Sequence, residues 1–423
     1  MKFYFPDSQD LVSPSYDFLR DEYSAHRVRQ RDDRYAHEVL SSAPYQGILV
    51  SKSIVDGSIK GAGKYSGAQR ARFYRMGVHQ FFRLPDGVET LGDNGAFNYV
   101  DEEIPPVTAE QTLDFYDECG FNSGISTDHI IFGYEPDASE VDVDPDWASR
   151  RRITLRLAEE FIDLARTRRT QVQPVGAAQG WSPASFADSV HALQEMGYQR
   201  IALGGMVPLK TDQILASLKG IYEILKPETE LHLLGITRVD SMDEFAAFGV
   251  TSFDSTSAFR QSFMDDRKNY HTTDRAYVAI RVPQVDGNPT LKRAILAGTV
   301  SQRAALTAER EALRALRAYD GSSAARQGCL DALGDYEAVC QSTKKSYLPA
   351  YEETLEAAPW TRCACRLCHQ HGVEIAIFRG TERNKRRGFH NLSVLADRMS
   401  ALKHEAGVLR RPVEENNLGL SHG

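Results

Sequence analysis

From about residue 45 to residue 285, short apolar runs alternate with amphipathic stretches of helical period. This βαβα rhythm restricts the chain to a parallel sheet covered by helices. The strand candidates are Gly47–Ser53, Thr90–Asp93, Gly124–Asp128, Val172–Ala178, Arg200–Gly204, Glu230–Gly235 and Thr251–Asp254, with Tyr277–Val282 as the last. Between them lie helical patterns over Ile153–Arg166, Pro183–Met196, Thr211–Leu225 and Met242–Phe248. About eight such strands in succession favour a closed (β/α)8 TIM barrel over an open sheet.

What ends each strand points to where chemistry would sit. Asp93, Asp128, Gln179, the pair Gly204–Gly205, Gly235 and Asp254 all fall at carboxyl ends of strand candidates. In a barrel these ends line one mouth, where active sites are built. A single Asp at such a place is commonly a turn or helix cap, but three Asp, one Gln and two glycine turns recurring there call for more. Two carboxylates at a barrel mouth can divide glycosidic chemistry between a nucleophile and a general acid/base. Composition does not choose this reaction over metal-assisted hydrolysis or aldol-type chemistry.

The second constraint lies near the C-terminus, where Cys363, Cys365 and Cys368 fall within six residues. Thiolates so close can converge on one Zn²⁺, which accepts tetrahedral sulfur and imidazole ligands. Four protein ligands leave no open position, so such a metal is structural. The fourth ligand is open among His390, His369 and His371. Cys119, Cys329 and Cys340 are scattered and read as core residues.

A chain of 423 residues can bury one large core or two ordinary ones, and 42% hydrophobic with 26% charged residues describe a globular protein. No apolar run is long enough to span a bilayer, and MKFYFPDSQD has neither region of a signal peptide. With the cysteine usage, this predicts a cytoplasmic protein with no membrane partner. The net charge of −8 decides little about nucleic acid, because the basic residues are clustered. Residues 149–169 carry seven arginines on a helical pattern, and residues 383–387 read RNKRR. The second cluster is the better candidate for touching phosphate, since a neighbouring metal would hold it rigid. The expected layout is a barrel with an N-terminal extension over residues 1–289, a helical insertion over 290–358, a zinc-binding subdomain with a closing helix over 359–404, and a loose tail over 405–423.

Several motifs, in order along the chain, resemble those of the tRNA-guanine transglycosylases. DNGAFN (Asp93–Asn98) resembles their DSGGFQ, and STDH (Ser126–His129) stands where they carry a guanine-reading Asp. VGAAQG (Val175–Gly180) resembles their VQG, ALGGMV (Ala202–Val207) their GGL, HLLGIT (His232–Thr237) their LMGVG, and SFDSTSAFR (Ser252–Arg260) their FDCVLPTR. CACRLC with a distant HN (Cys363–Cys368, His390–Asn391) matches their zinc signature. Each motif is weak alone, but their shared order is strong. The resemblance implies Asp254 as nucleophile at the sugar carbon and Asp93 as general acid/base. Asp128 and Gln179 would bind the base edge and its carbonyl, with the backbone of Gly204, Gly205 and Gly235 alongside. Phe97 and Leu234 would close the two faces of the slot. Cys363, Cys365, Cys368 and His390 would hold the zinc.

The departures narrow the group. Ala96 and Asn98 replace Gly and Gln of the first motif. Lys210 stands where enzymes taking an aminomethyl base place a Glu; a lysine disfavours that cation and tolerates a neutral nitrile. The opening FYFPDSQD and the helical insertion are similar to the DNA 7-deazaguanine transglycosylases, which exchange guanine in DNA for 7-cyano-7-deazaguanine (preQ0) in bacterial or phage DNA-modification systems. That resemblance implies DNA and a free 7-deazaguanine base as partners, an ATPase of the same system, and a homodimer near the zinc region as further options. Two rival readings are a tRNA-guanine transglycosylase of the same fold and a non-catalytic nucleic-acid-binding subunit.

Overall fold

The computed structural model describes residues 1–405, apart from residue 8, residues 58–62, residue 320 and residues 341–345. Eight parallel strands close into a barrel in chain order: β1 (Lys2–Pro6), β2 (Gly47–Ser51), β3 (Glu89–Asp93), β4 (Ser123–Ile125), β5 (Gln173–Ala178), β6 (Arg200–Leu203), β7 (Glu230–Leu233) and β8 (Val250–Asp254). The fold is the expected (β/α)8 barrel. Seven strand candidates fall within it, most of them shortened by a residue or two.

The eighth candidate is corrected. The closing strand is not Tyr277–Val282 but β1 at the very start of the chain, which pairs with β8 through Tyr4↔Asp254 and with β2 through Tyr4↔Gly47. Five residues ended by Pro6, with no helix before them, offer no rhythm to read. Tyr277–Val282 is apolar for another reason. Its Ile280–Arg281 pairs with Ile377–Phe378 in a two-stranded sheet of the C-terminal subdomain, and Ile280 and Val282 are fully buried there.

Strand alternation sorts the side chains into two sets. Tyr4, Leu49, Leu91, Ile125, Val175, Ala177 and Ala202 form the barrel interior, with Leu234 packed against them. Phe3, Ile48, Val50, Ile201, Leu231, Leu233 and Phe253 face the surrounding helices. Fully burying one such side chain stabilises by roughly 1.5–3 kcal/mol, and closure leaves no sheet edge to defend. The helices are set by local chemistry. Pro183–Met196 starts on Ser182, whose hydroxyl accepts from the Ser185 amide at 3.2 Å. Pro145–Arg168 starts on Asp144 in the same way. Its outward arginines pair with Glu140, Glu160, Asp163, Glu110 and Asp114 on a solvated charged face. The largely buried Arg150 instead pairs with Asp146 and donates to the Val100 carbonyl at 2.8 Å.

Beyond the barrel, helices Pro289–Leu296, Gln302–Arg317, Ser323–Cys340 and Leu348–Ala357 precede the cysteine cluster, and the long helix Gly380–Glu405 closes the described chain. The tail expected from residue 405 lies outside the described residues. Among these, no helix is long and apolar enough to cross a membrane.

The RNKRR segment overturns an expectation. It sits in that last helix with Arg383, Arg386 and Arg387 buried. Arg383 reaches Glu374 at 2.7 Å and also pairs with Asp21, while Arg386 pairs with Glu382 and donates to the Ser13 carbonyl at 2.6 Å. Arg387 donates to the Ile375, Ile377 and Ser262 carbonyls and to Asn384, and Lys385 meets Asp10 at 3.1 Å. These cations clamp the loop after β1 to the C-terminal subdomain and are not offered to phosphate.

Candidate active site and metal centre

Asp93 ends β3 opposite Ser51 of β2, and the Ser51 hydroxyl donates to its Oδ2 at 2.5 Å. Burial pushes the Asp93 carboxyl above the ordinary carboxylate range; the Ser51 and Gly95 donors oppose this, and the charge of Asp254 adds to it.

Asp128 leaves the ladder after β4 and is 4% exposed. Gln179, the residue after β5, donates its amide to Asp128 Oδ2 at 2.6 Å and accepts the Ile131 N–H at 3.2 Å. Burial, with the charge of Asp93 added, raises the Asp128 carboxyl to about 7, against the pull of the Gln179 and Asn94 amides. Asn94 in turn donates to the Ser126 carbonyl at 3.1 Å and accepts from the Tyr99 hydroxyl, which also bonds the Asp128 carbonyl. The loops after β3 and β4 are thereby tied together.

Asp254 ends β8 and is 6% exposed. Its Oδ1 accepts the Gly235 amide at 3.0 Å and faces His232 Nε2 at 3.2 Å. Gly235 can aim its N–H this way because it holds φ +75°, a conformation side chains disfavour. The turn after β6 is as tightly specified: Gly205 has φ +70°, and a Cβ there would lie 2.3 Å from the Ile131 carbonyl. A Cβ on Gly204 would meet the Gln179 amide at 2.1 Å. Both glycines thus stand against the residues that hold Asp128.

Phe97 lies on a short 3₁₀ turn, Ala96–Asn98, at the rim of the mouth. It is 57% exposed and leans on Phe132, with ring centroids 5.6 Å apart. Leu234, just after β7, packs against the barrel interior. Asp93, Asp128, Gln179, Gly204, Gly205, Gly235 and Asp254 therefore come together as the strand ends suggested, while Phe97 sits further out. Ser51, Asn94, His232 and Phe132 were missed. A polar residue at an inward position of an otherwise apolar strand, such as His232 within LHLL, was the available signal. None of the three carboxylates is paired with a Lys or Arg among the described residues. Amides and hydroxyls thus surround three carboxyl groups that could accept hydrogen bonds from a ligand rich in N–H donors.

Two clefts flank helix Ser257–Met264, which starts three residues after Asp254 and lines both with Ser257 and Gln261. One, of about 560 Å³, carries Arg260 and Arg267; the other, of about 720 Å³, carries Arg238, Lys268, Arg275 and Arg398. Arg260, Arg267 and Lys268 make no ion pair among the described residues.

In the C-terminal subdomain, Sγ of Cys363, Cys365 and Cys368 and Nδ1 of His390 lie within 4.8 Å of one another and could hold one metal ion. The three sulfurs stand 3.4–3.5 Å from Nδ1. A tetrahedral ion with Zn–S near 2.3 Å and Zn–N near 2.0 Å separates its S and N ligands by about 3.5 Å, so the donor set fits. The Nε2 of His390 donates to the His271 carbonyl at 2.8 Å, which leaves the Nδ1 lone pair for a metal. Of the two nearer histidines, His371 packs against Phe18 and neither joins the cluster.

No protein-family model matches the chain. A curated protein of Salmonella montevideo, described as a DNA-guanine transglycosylase, is 47% identical over 404 residues, which span 94% of this chain and 96% of the relative. With likeness at that level over nearly the whole barrel and the metal cluster, the chain belongs to the DNA-guanine transglycosylase family and is a guanine transglycosylase.

Proposed function

We propose that this enzyme exchanges guanine in DNA for preQ0 through a glycosyl ester on Asp254. The observation that carries the reading is the convergence at the barrel mouth of three carboxylates that no Lys or Arg among the described residues pairs, near an exposed aromatic pair. Asp254 Oδ2 attacks C1′ of the deoxyribose as the bond to guanine N9 breaks, and Asp93 gives the departing base a proton. Asp93, now a carboxylate, takes the N9 proton of the incoming deazapurine. The new N9–C1′ bond forms as the ester to Asp254 breaks, so the proton spent in the first half returns in the second. Asp128 accepts the N–H groups of the base edge, and the second N–H of the Gln179 amide faces its carbonyl. The upward shift of the Asp93 carboxyl, caused mainly by burial, suits a group that gives and takes a proton.

The target guanine has to leave the helical stack to enter this site. Phe97 and Phe132 are placed to stack on the bases around it. Phosphate docking, no longer assignable to RNKRR, is assigned to Arg260, Arg267 and Lys268 beside Asp254. The Cys3His centre is assigned one structural Zn²⁺. It would fix helix Gly380–Glu405 against helix Ser257–Met264 behind the nucleophile, and elemental analysis is expected to find one zinc per chain.

The test supplies plasmid DNA, melted DNA or tRNA with preQ0 and quantifies nucleosides by mass spectrometry. The expected product is the preQ0 deoxynucleoside, with melted DNA reacting at least as well as duplex. Product confined to tRNA would overturn the DNA reading. Exchange in duplex only after an ATPase of the same system is added would assign that partner the task of opening DNA.

A further inference from the structure

His232 has no part in the scheme above, yet it is the polar side chain most deeply committed to Asp254. It points into the barrel from β7, is 1% exposed, and stands beside Ser252 in the β7–β8 register. Its Nδ1 lies 2.9 Å from Ser252 Oγ and its Nε2 lies 3.2 Å from Asp254 Oδ1, with the Tyr4 ring set edge-on at 5.7 Å. An imidazole buried in the barrel, against Tyr4 and beside Ala202 of β6, needs both nitrogens satisfied. A carboxylate oxygen only accepts, so Nε2 carries the hydrogen and Nδ1 accepts from the Ser252 hydroxyl.

His232 and the Gly235 amide therefore aim two N–H donors at the same oxygen, Oδ1, while Oδ2 has no hydrogen-bond partner among the described residues. Taking Asp254 as the nucleophile, as proposed above, this asymmetry has a direction. Oδ2 forms the bond to C1′, and Oδ1 becomes the ester carbonyl. When the incoming base N9 attacks C1′, the C1′–Oδ2 bond breaks and its electron pair returns to the carboxylate, shared with Oδ1. N–H donors hold a carboxylate oxygen more strongly than an ester carbonyl. The two donors thus restrain attack slightly and assist departure. We infer that His232 is a positioning residue that favours the second half-reaction, the discharge of Asp254 from the sugar.

The test separates the half-reactions. Enzyme and guanine-containing DNA without incoming base give the rate of guanine release and of covalent adduct formation, and added preQ0 then gives the discharge rate. Both are taken on molecules competent to form adduct, so a partly unfolded sample does not bias their ratio. His232→Phe removes the donor; His232→Asn keeps a partner for Ser252 but is too short to serve Asp254. In both, discharge is expected to slow by about tenfold or more relative to release, and adduct to accumulate at steady state. His232→Gln, which can present an N–H at similar reach, should restore most of the loss. Equal slowing of both steps, or no slowing in either variant, would overturn the inference. If wild-type enzyme forms no adduct, or Asp254→Asn still forms one, the nucleophile assignment itself falls. An adduct mapped to Asp254 with an unchanged ratio sinks only the role of His232.

Discussion

At the barrel mouth Asp93, Asp128 and Asp254 sit among hydroxyls, amides and an imidazole, whereas in the C-terminal subdomain Arg379, Arg383 and Arg386 are buried against Asp21, Glu309, Glu374 and Glu382. Both regions take charge out of water, which costs several kcal/mol per ion unless a partner is supplied. In the subdomain every buried charge meets its counter-charge or several carbonyls, and the result is a clamp between distant parts of the chain. At the mouth no Lys or Arg among the described residues pairs with these carboxylates, and burial raises Asp93 and Asp128 instead. Paired burial marks architecture here, and the unpaired buried carboxyls mark the candidate functional site.

Breaking each side of that contrast should give opposite signatures. Asp254→Asn is expected to lower base exchange on the order of 10⁴-fold or more while the melting temperature stays level, read by nucleoside analysis and calorimetry on one preparation. A melting temperature that falls sharply would mean Asp254 is structural and the contrast is misdrawn. Arg383→Ala should do the reverse. It takes one of two guanidiniums from each of Asp21 and Glu374, which keep Arg379 and Arg317, and should cost up to about 3 kcal/mol of stability by denaturant titration. The folded fraction should still exchange guanine, so activity lost at full stability would count against the clamp.

This contrast also explains what the sequence could and could not tell. The barrel was legible because alternation of strand and helix is a local property, and Asp93, Gln179 and Asp254 stood out as polar ends of apolar runs. The metal cluster was legible because its three sulfurs lie within six residues. Lys2–Pro6 was missed as a strand because its partners are Gly47 and Ser252, far along the chain. RNKRR was misread for the same reason: its charge is visible locally, while Asp21 and the Ser13 and Ser262 carbonyls that absorb it are remote. His232 was passed over because its role appears only when β7 lies beside β8.

Asp128 offers a smaller effect that sharpens the mouth side. If Asp128 accepts the N–H groups of the base edge, as proposed, binding requires its carboxylate form. With the free group raised to about 7, kcat/KM for the base should fall as pH drops below neutrality and level off above about 8. Asp128→Asn should remove that acid limb and lower kcat/KM roughly 10- to 100-fold, the worth of a hydrogen bond to a charged group. An acid limb that persists unchanged in Asp128→Asn would assign it to another carboxyl, with Asp93 the first candidate.

The smallest expected effect decides where DNA lies. If Arg267 and Lys268 contact phosphates beside the nucleophile, each alanine substitution removes about one released counterion, and the slope of log K against log salt becomes shallower by about 0.7 to 0.9. Lys385, the least buried basic residue of RNKRR and already paired with Asp10, serves as the control. Lys385→Ala should leave the slope unchanged, because that ammonium holds the loop after β1 and not a phosphate. Fluorescence anisotropy of a labelled oligonucleotide over a salt series measures all three variants. A slope that shifts for Lys385→Ala and not for the other two would return DNA docking to the subdomain and undo the division between paired and unpaired charge.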